Sequence, residues 1–277
     1  MDDRQFKRLL GELGYSFAGY RRVRKGVKKR IRRHMRDINC RDMVSYLECI
    51  ATSDQIREAC IRRMAVPISR FMRDRPLWDA LQGGWLLELY RRFGPRLNAW
   101  SAGCACGEEA YSLMIAARET PASALQMRMT ATDLNPACLT KARAGIYQAS
   151  SFREMPADLL SQYFNPMRRG RRFRIRPDLM AGITWCRRRT ENPWPGQIYD
   201  LILLRNSVLT YYEAPQQTRV LVKVIESLRP DGLLVIGSRE RLPAGLPDMM
   251  PVSASCPYVF RKVSGGSILS GAENPYA

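Results

Sequence analysis

Histidine is nearly absent: the 277 residues contain one, His34. A Ser/His/Asp triad or a Cys/His dyad could use only that residue, and it lies in a strongly basic segment. The eight cysteines form no CxxC pair. Only Cys104 and Cys106 are near neighbours in sequence, so no metal is expected. No apolar run approaches the roughly 20 residues of a membrane span, and "MDDRQFKRLL" has no apolar stretch of a signal peptide behind it. The expected location is the cytoplasm, where eight thiols need form no disulfides. Acidic residues are scarce too, 26 against 45 lysines and arginines, for a net charge of +19.

Such an excess seeks a polyanion or an acidic surface: nucleic acid, anionic lipid, or a glutamate-rich protein. Two runs carry much of it, "RRVRKGVKKRIRRHMR" (Arg21 to Arg36) and "RRGRRFRIR" (Arg168 to Arg176). A solvated basic face without a specific partner would have the same composition. In the first run Val23, Val27, Ile31 and Met35 recur every four residues, which predicts a helix with one apolar stripe and the cations turned outward.

Residues 1–80 read as a small helical domain and linker. Phe6, Leu9, Leu10 and Leu13 keep helical spacing, and Ser53 is placed to cap the helix after it. From about residue 81 strands alternate with helices, which predicts an α/β domain with a parallel sheet over 81–264. "LNAWSAG" reads as a strand before a helix that starts near Glu108. "LQMRMTATDLN" reads as a strand ending in Asp133, and Pro136 opens the next helix. "YDLILLRN" and "LLVIGS" are apolar strands around a helix closed by Pro-Asp-Gly. An insert at about 148–185 holds a helix and "RRFRIRP", which alternates like an edge strand. Residues 265–277 are polar and glycine-rich and are expected to be a disordered tail.

The stretch "AGCACGEE" turns the first strand into a helix. Gly103 and Gly107 let the backbone turn tightly and approach a ligand. In a dinucleotide site that helix start would take a phosphate, but Glu108 and Glu109 would repel one. Carboxylates favour an ammonium or a sulfonium instead. Asp133, at the end of the second strand, can accept hydrogen bonds from both ribose hydroxyls. Together these features describe S-adenosyl-L-methionine.

"WSAGCACGEEAYSL" resembles the cofactor loop of the CheR-like family, the chemotaxis-receptor protein-glutamate O-methyltransferases. "VPISRFMRD", "ATDLNPACLTKARAGIY", "YDLILLRNSVLTYY" and "LRPDGLLVIGSRE" resemble four further family segments in order. The resemblance implies a Rossmann-like class I methyltransferase domain with an N-terminal all-helical domain, and S-adenosyl-L-homocysteine as product. It implies that Ser69 and Arg73 contact the methionine end, with Arg73 also close to the methyl group. Glu109, with Glu108 beside it, would hold the amino group. Asp133 would bind the ribose, while Asn206 and Ser207 would line the cofactor. The cysteines of the loop would be packing residues.

The implied reaction is methyl transfer to glutamate carboxylates on a receptor's cytoplasmic helix. A carboxylate is nucleophilic at neutral pH, so no strong base is needed and the scarcity of histidine fits. Arg73 would orient the acceptor, Tyr211 or Tyr212 would donate a hydrogen bond, and the Arg21–Arg36 helix would dock on the acidic receptor. The sequence departs from the family pattern at Pro67, at Arg189-Thr190, at Thr210 where a tyrosine is usual, and at Ser238-Arg239. These departures keep two alternatives open: a small-molecule or nucleic-acid acceptor, and a non-catalytic cofactor-binding regulator.

Overall fold

The computed structural model describes residues 1–263 except 123, 195, 245 and 247. The expected tail at 265–277 lies outside the described residues. Five helices come first: α1 (Asp3–Leu13), α2 (Phe17–Tyr20), α3 (Arg24–Asp37), α4 (Met43–Thr52) and α5 (Asp54–Met64). Local chemistry sets their ends. Asp2 and Gln5 form a reciprocal capping box on α1, and Gly14 closes it in the left-handed region at φ 72°. Ser53 caps α5 as expected, its Oγ accepting from the Ile56 N–H. The stripe of α3 is buried at Val27, Ile31 and Met35, with Val23 half-buried just ahead of the helix. Lys25, Lys29, Arg30, Arg32, Arg33 and Arg36 are turned to solvent, while Arg24 and Lys28 pair with Asp3 of α1. His34 joins that buried face, its Nδ1 2.8 Å from the Tyr46 hydroxyl. Burial holds its pKa below the ordinary value, so it is a core residue.

An extended link then leads to α6 (Arg75–Ala80), a wider π-type turn over Leu81–Trp85, and α7 (Leu86–Phe93). Ten strands follow among the described residues: β1 (Arg96–Ala102), β2 (Gln126–Asp133), β3 (Ile146–Gln148), β4 (Phe164–Met167), β5 (Arg172–Ile175), β6 (Ile183–Arg187), β7 (Tyr199–Leu204), β8 (Leu228–Ile236), β9 (Met249–Pro251) and β10 (Val259–Lys262). Seven make one sheet in the order β6-β2-β1-β7-β8-β10-β9. The first five of that order run parallel, and β10 is antiparallel to both neighbours. The connecting helices include α8 (Glu108–Glu119), α9 (Pro136–Ala144), α10 (Ala157–Tyr163), α11 (Pro177–Met180), α12 (Val208–Tyr211) and α13 (Ala214–Glu226). All six residues of β7 are buried, as a central strand covered on both faces requires. The chain builds outward from β1 to β6, then returns to β7. That reversal opens a crevice beyond the carboxyl ends of β1 and β7.

Two expectations need correction. Pro230-Asp231-Gly232 does not close the preceding helix, which ends at Glu226; it lies inside β8, where Asp231 has φ 65° and the register against β7 shifts. A bulge absorbs those residues without ending the strand. The strand in "RRFRIRP" is not an edge: β5 is the middle of a second sheet, β3-β5-β4, in which Phe173 and Ile175 turn inward.

Buried side chains form two clusters, one from Phe6 to Met64 and one from Phe71 to Val259. Their join is tight. The Ser16 N–H donates to the Tyr211 carbonyl at 2.8 Å, and the Glu213 N–H to that of Gly14 at 3.0 Å. A Cβ on Gly19 would fall 1.9 Å from the Thr210 carbonyl oxygen, so only glycine lets α2 seat against α12. Arg30 of α3 also donates to the carbonyls of Arg63 and Ala65.

Candidate cofactor and methyl-transfer site

The loop between β1 and α8 occupies the crevice. Gly103 (φ 86°), Ala105 (φ 49°) and Gly107 (φ 93°) all take positive φ. The N–H groups of Gly103 and Cys104 both donate to the Thr132 carbonyl at 2.9 Å, which ties the loop to β2. A Cβ on Gly107 would lie 2.8 Å from Trp185 and 2.9 Å from the Ala142 Cβ. Cys104 is buried and its thiol is pushed well up by burial, while Cys106 is half-buried.

Three carboxylates lie along this loop. Glu109 accepts from the Ser101 hydroxyl at 2.7 Å and from Arg205 Nη1 at 3.2 Å. Burial pushes its pKa up, and the Arg205 charge opposes that. Glu108 is 6% exposed, and its Oε2 is buried without a partner. Burial raises its pKa as well. Each oxygen of Asp133 accepts one backbone N–H, from Asn135 at 2.8 Å and Ala105 at 2.9 Å. Burial raises this carboxyl and the amides work against it. One N–H per oxygen leaves lone pairs for a diol.

The end of β7 supplies the opposite wall. Asn206 is left-handed (φ 51°) and its N–H donates to Glu240 Oε2 at 3.0 Å. Glu240 also accepts from the Gly237 N–H and, at 2.5 Å, from the Thr210 hydroxyl. The Ser207 hydroxyl is buried without a partner. Tyr211 packs 4.7 Å from the Tyr20 ring; burial raises its phenol pKa and the Arg73 charge lowers it. Tyr212 is engaged elsewhere. Its hydroxyl donates to Glu191 at 2.7 Å, Arg189 pairs with the same Glu191 oxygen at 2.9 Å, and the Tyr15 ring stands edge-on at 4.8 Å.

Two adjoining cavities share Val66, Gly103, Ala105 and Asn206. Ser69, Arg73 and Glu109 line the smaller. Asp133, Ser207, Tyr211, Tyr212 and Pro67 line the larger. Of the residues anticipated from sequence, only Gly107 and Glu108 line neither; they stand behind the loop. A carboxylate in the small cavity, a carboxylate with free lone pairs in the large one, and an orphaned hydroxyl suit a nucleoside bearing an ammonium. They would suit a phosphate badly. Among the described residues no three His, Cys, Asp or Glu side chains group to hold a metal ion, and no helix is long and apolar enough to cross a membrane.

Arg205, Asp74 and Glu191 were missed from sequence. Arg205 had a signal: an arginine directly after six apolar-flanked strand residues, at a depth where a cation needs buried partners. Asp74 and Glu191 had none, since their importance comes from partners more than 100 residues away or on another element.

Residues 68–259 match CheR methyltransferase, SAM binding domain. The chain is 33% identical over 182 residues to a chemotaxis protein methyltransferase of Listeria monocytogenes, covering 66% of this chain and 68% of the relative. It is 27% identical over 256 residues to the chemotaxis protein methyltransferase of Escherichia coli, covering 87% and 85%. It is 31% identical over 234 residues to an uncharacterized 104.1 kDa protein of Rhodobacter capsulatus; that match covers 82% of this chain and 24% of the other, so the chain spans about a quarter of that relative. The matched span contains every residue of both cavity walls from Ile68 to Tyr212, and the chain belongs to the CheR methyltransferase family, as an S-adenosylmethionine-dependent methyltransferase.

Proposed function

We propose that the protein methylates glutamate carboxylates on the cytoplasmic helices of a chemoreceptor. One observation carries this reading: Arg73 lines the smaller and Tyr211 the larger of two cavities that adjoin at Val66, Gly103, Ala105 and Asn206 in a CheR-family domain. Bound S-adenosylmethionine supplies an electrophilic methyl group on a sulfonium. Ser69 and Arg73 face its methionine end, Glu109 holds the ammonium, and Asp133 takes the ribose hydroxyls. Asn206 and Ser207 line the wall from the fourth parallel strand. Arg73 orients the incoming carboxylate, which needs no base, so positioning is the main contribution of the chain. Tyr211 donates the hydrogen bond. Of the two tyrosines anticipated, Tyr212 is held by Glu191 and shapes the larger cavity.

The exposed cations of α3 dock the acidic receptor face, and Arg30 couples that helix to the Ala65 carbonyl beside the cavity. The helical and methyltransferase domains thus divide docking from chemistry, in the cytoplasm. A second reading has one observation behind it. At the β4–β5 hairpin, Arg168, Arg169, Arg171 and Arg172 line one cavity and form no ion pair among the described residues, which suits a nucleic-acid acceptor.

Steady-state kinetics on a receptor cytoplasmic fragment test the roles. Arg73→Ala and Tyr211→Phe should each lower kcat, Tyr211→Phe by about tenfold, the worth of one hydrogen bond made to a charged group. Unchanged turnover in Arg73→Ala would sink its role.

A further inference from the structure

Glu109 must be an anion to hold an ammonium, yet burial works against that charge. Arg205 is placed to answer it. Its side chain is only 3% exposed, and its guanidinium reaches three acceptors. Nη1 donates to Glu109 Oε2 at 3.2 Å, while Nη2 donates to Asp74 Oδ2 at 2.6 Å and to the Arg73 carbonyl at 3.0 Å. Trp78 stacks from one side, 5.7 Å from ring centroid to guanidinium, and its indole N–H donates to the same Arg73 carbonyl at 2.8 Å. Ser238 takes the other oxygen of Asp74 at 3.1 Å. Within this triad one cation faces two carboxylates, Glu109 at 3.2 Å and Asp74 at 2.6 Å.

We propose that Arg205 is a positioning residue for methyl transfer: its buried guanidinium keeps Glu109 ionised and aimed at the cofactor's ammonium, and fixes the backbone that presents Arg73 to the acceptor. The proposal rests on reading Glu109 as the ammonium holder. One guanidinium thereby joins the cofactor side of the site to the acceptor side. A lysine would not reproduce this, because a point charge cannot serve three acceptors in a fixed plane. The polar and charged groups around Glu109 are Ser101 of β1, Glu108 on its own helix, Cys104 of the loop, Arg73 and Asp74 of the link to α6, and Arg205. Tyr258, ahead of β10, stands near Asp74 and Arg205 as a neutral phenol, its pKa pushed up to about 12 chiefly by burial.

The test is calorimetric binding of S-adenosylhomocysteine to the full chain between about pH 4.5 and 7.5, below the range in which the ligand's own amino group titrates. Wild type, Arg205→Met, Arg205→Lys, Glu109→Gln and the Arg205→Met/Glu109→Gln double variant are compared. Losing a cation this close should raise the Glu109 pKa, moving the acid midpoint of binding upward by about one unit or more in Arg205→Met. Its affinity at pH 7 should fall about tenfold or more. Glu109→Gln and the double variant should share one midpoint, set by Asp133. Arg205→Lys should keep the wild-type midpoint but bind more weakly and lower kcat on the receptor fragment. An unshifted midpoint in Arg205→Met would overturn the proposal, as would a shift that survives in the Glu109→Gln background. If Arg205→Met does not fold, wild-type affinity and kcat in Arg205→Lys would overturn it. Failure of the wild type to bind would instead refute the cofactor site itself.

Discussion

Replacing Gly107 with alanine tests how the cofactor loop is built. At φ 93° the residue sits in a region that a Cβ disfavours by about 1–2 kcal/mol. The added methyl would also meet Trp185 at 2.8 Å, the Ala142 Cβ at 2.9 Å and the Tyr147 hydroxyl at 3.1 Å. Tyr147 cannot easily yield, because its hydroxyl holds the Cys106 carbonyl at 2.8 Å. Overpacking of this kind costs about 1–3 kcal/mol. The sum predicts a loss of about 2–5 kcal/mol, a large share of a typical domain's stability. Gly103→Ala is the internal control. Its φ of 86° carries the same backbone penalty, but its nearest new contact is the Ser207 Cβ at 3.3 Å, so it should lose only about 1–2 kcal/mol. Urea denaturation of both variants, with the slope checked for constancy, gives the comparison. Equal losses, or a Gly107→Ala loss under about 0.5 kcal/mol, would refute the close packing of loop, α9 and β6.

Other perturbations separate the remaining roles. Asp133→Asn should weaken S-adenosylhomocysteine binding by about 10–100-fold, the worth of hydrogen bonds to an ionised acceptor; calorimetry checks it, and unchanged affinity would remove Asp133 from the ribose site. Asp133 and Glu109 have pKa values raised above their ordinary 3.8 and 4.5. Such groups favour the folded protein below the ordinary value and lose that contribution as pH rises through the raised one. Ligand binding needs the anions and has the opposite sign. Affinity should therefore be full above the raised values and fall as pH drops through them, with the decline beginning above the usual carboxylate range. Reversing Lys25, Lys29, Arg32 and Arg36 to glutamate should raise KM for the receptor fragment, weaken its salt dependence and leave cofactor affinity unchanged; a change in cofactor affinity alone would argue against docking by α3.

Much of the frame was legible because it depends on local pattern. The four-residue spacing of Val27, Ile31 and Met35 gave a buried stripe without any knowledge of what covers it. β7 announced itself by an apolar run interrupted only by Asp200, and Asp133 by standing where the alternating stretch of β2 stops before Pro136. What could not be read depends on meetings between distant segments. The Arg205 network joins residues 73, 74, 109 and 205, and no window of sequence contains them. β5 looked like an edge because alternation reports one solvated face and says nothing of neighbours in the sheet plane. Pro-Asp-Gly looked like a stop because turn residues within a strand differ from turn residues after a helix only in what pairs across from them. Tyr211 and Tyr212, adjacent in sequence, point to different partners for the same reason.

The most direct measurement uses S-adenosylmethionine carrying a labelled methyl group, incubated with the full chain and membranes containing chemoreceptors. Label on receptor protein that mild base releases as methanol, and that is lost in Arg73→Ala, is the predicted result: it identifies a carboxyl methyl ester made at this site. Label that resists base, or that appears on nucleic acid or a small molecule while receptors stay unlabelled, would contradict the receptor assignment.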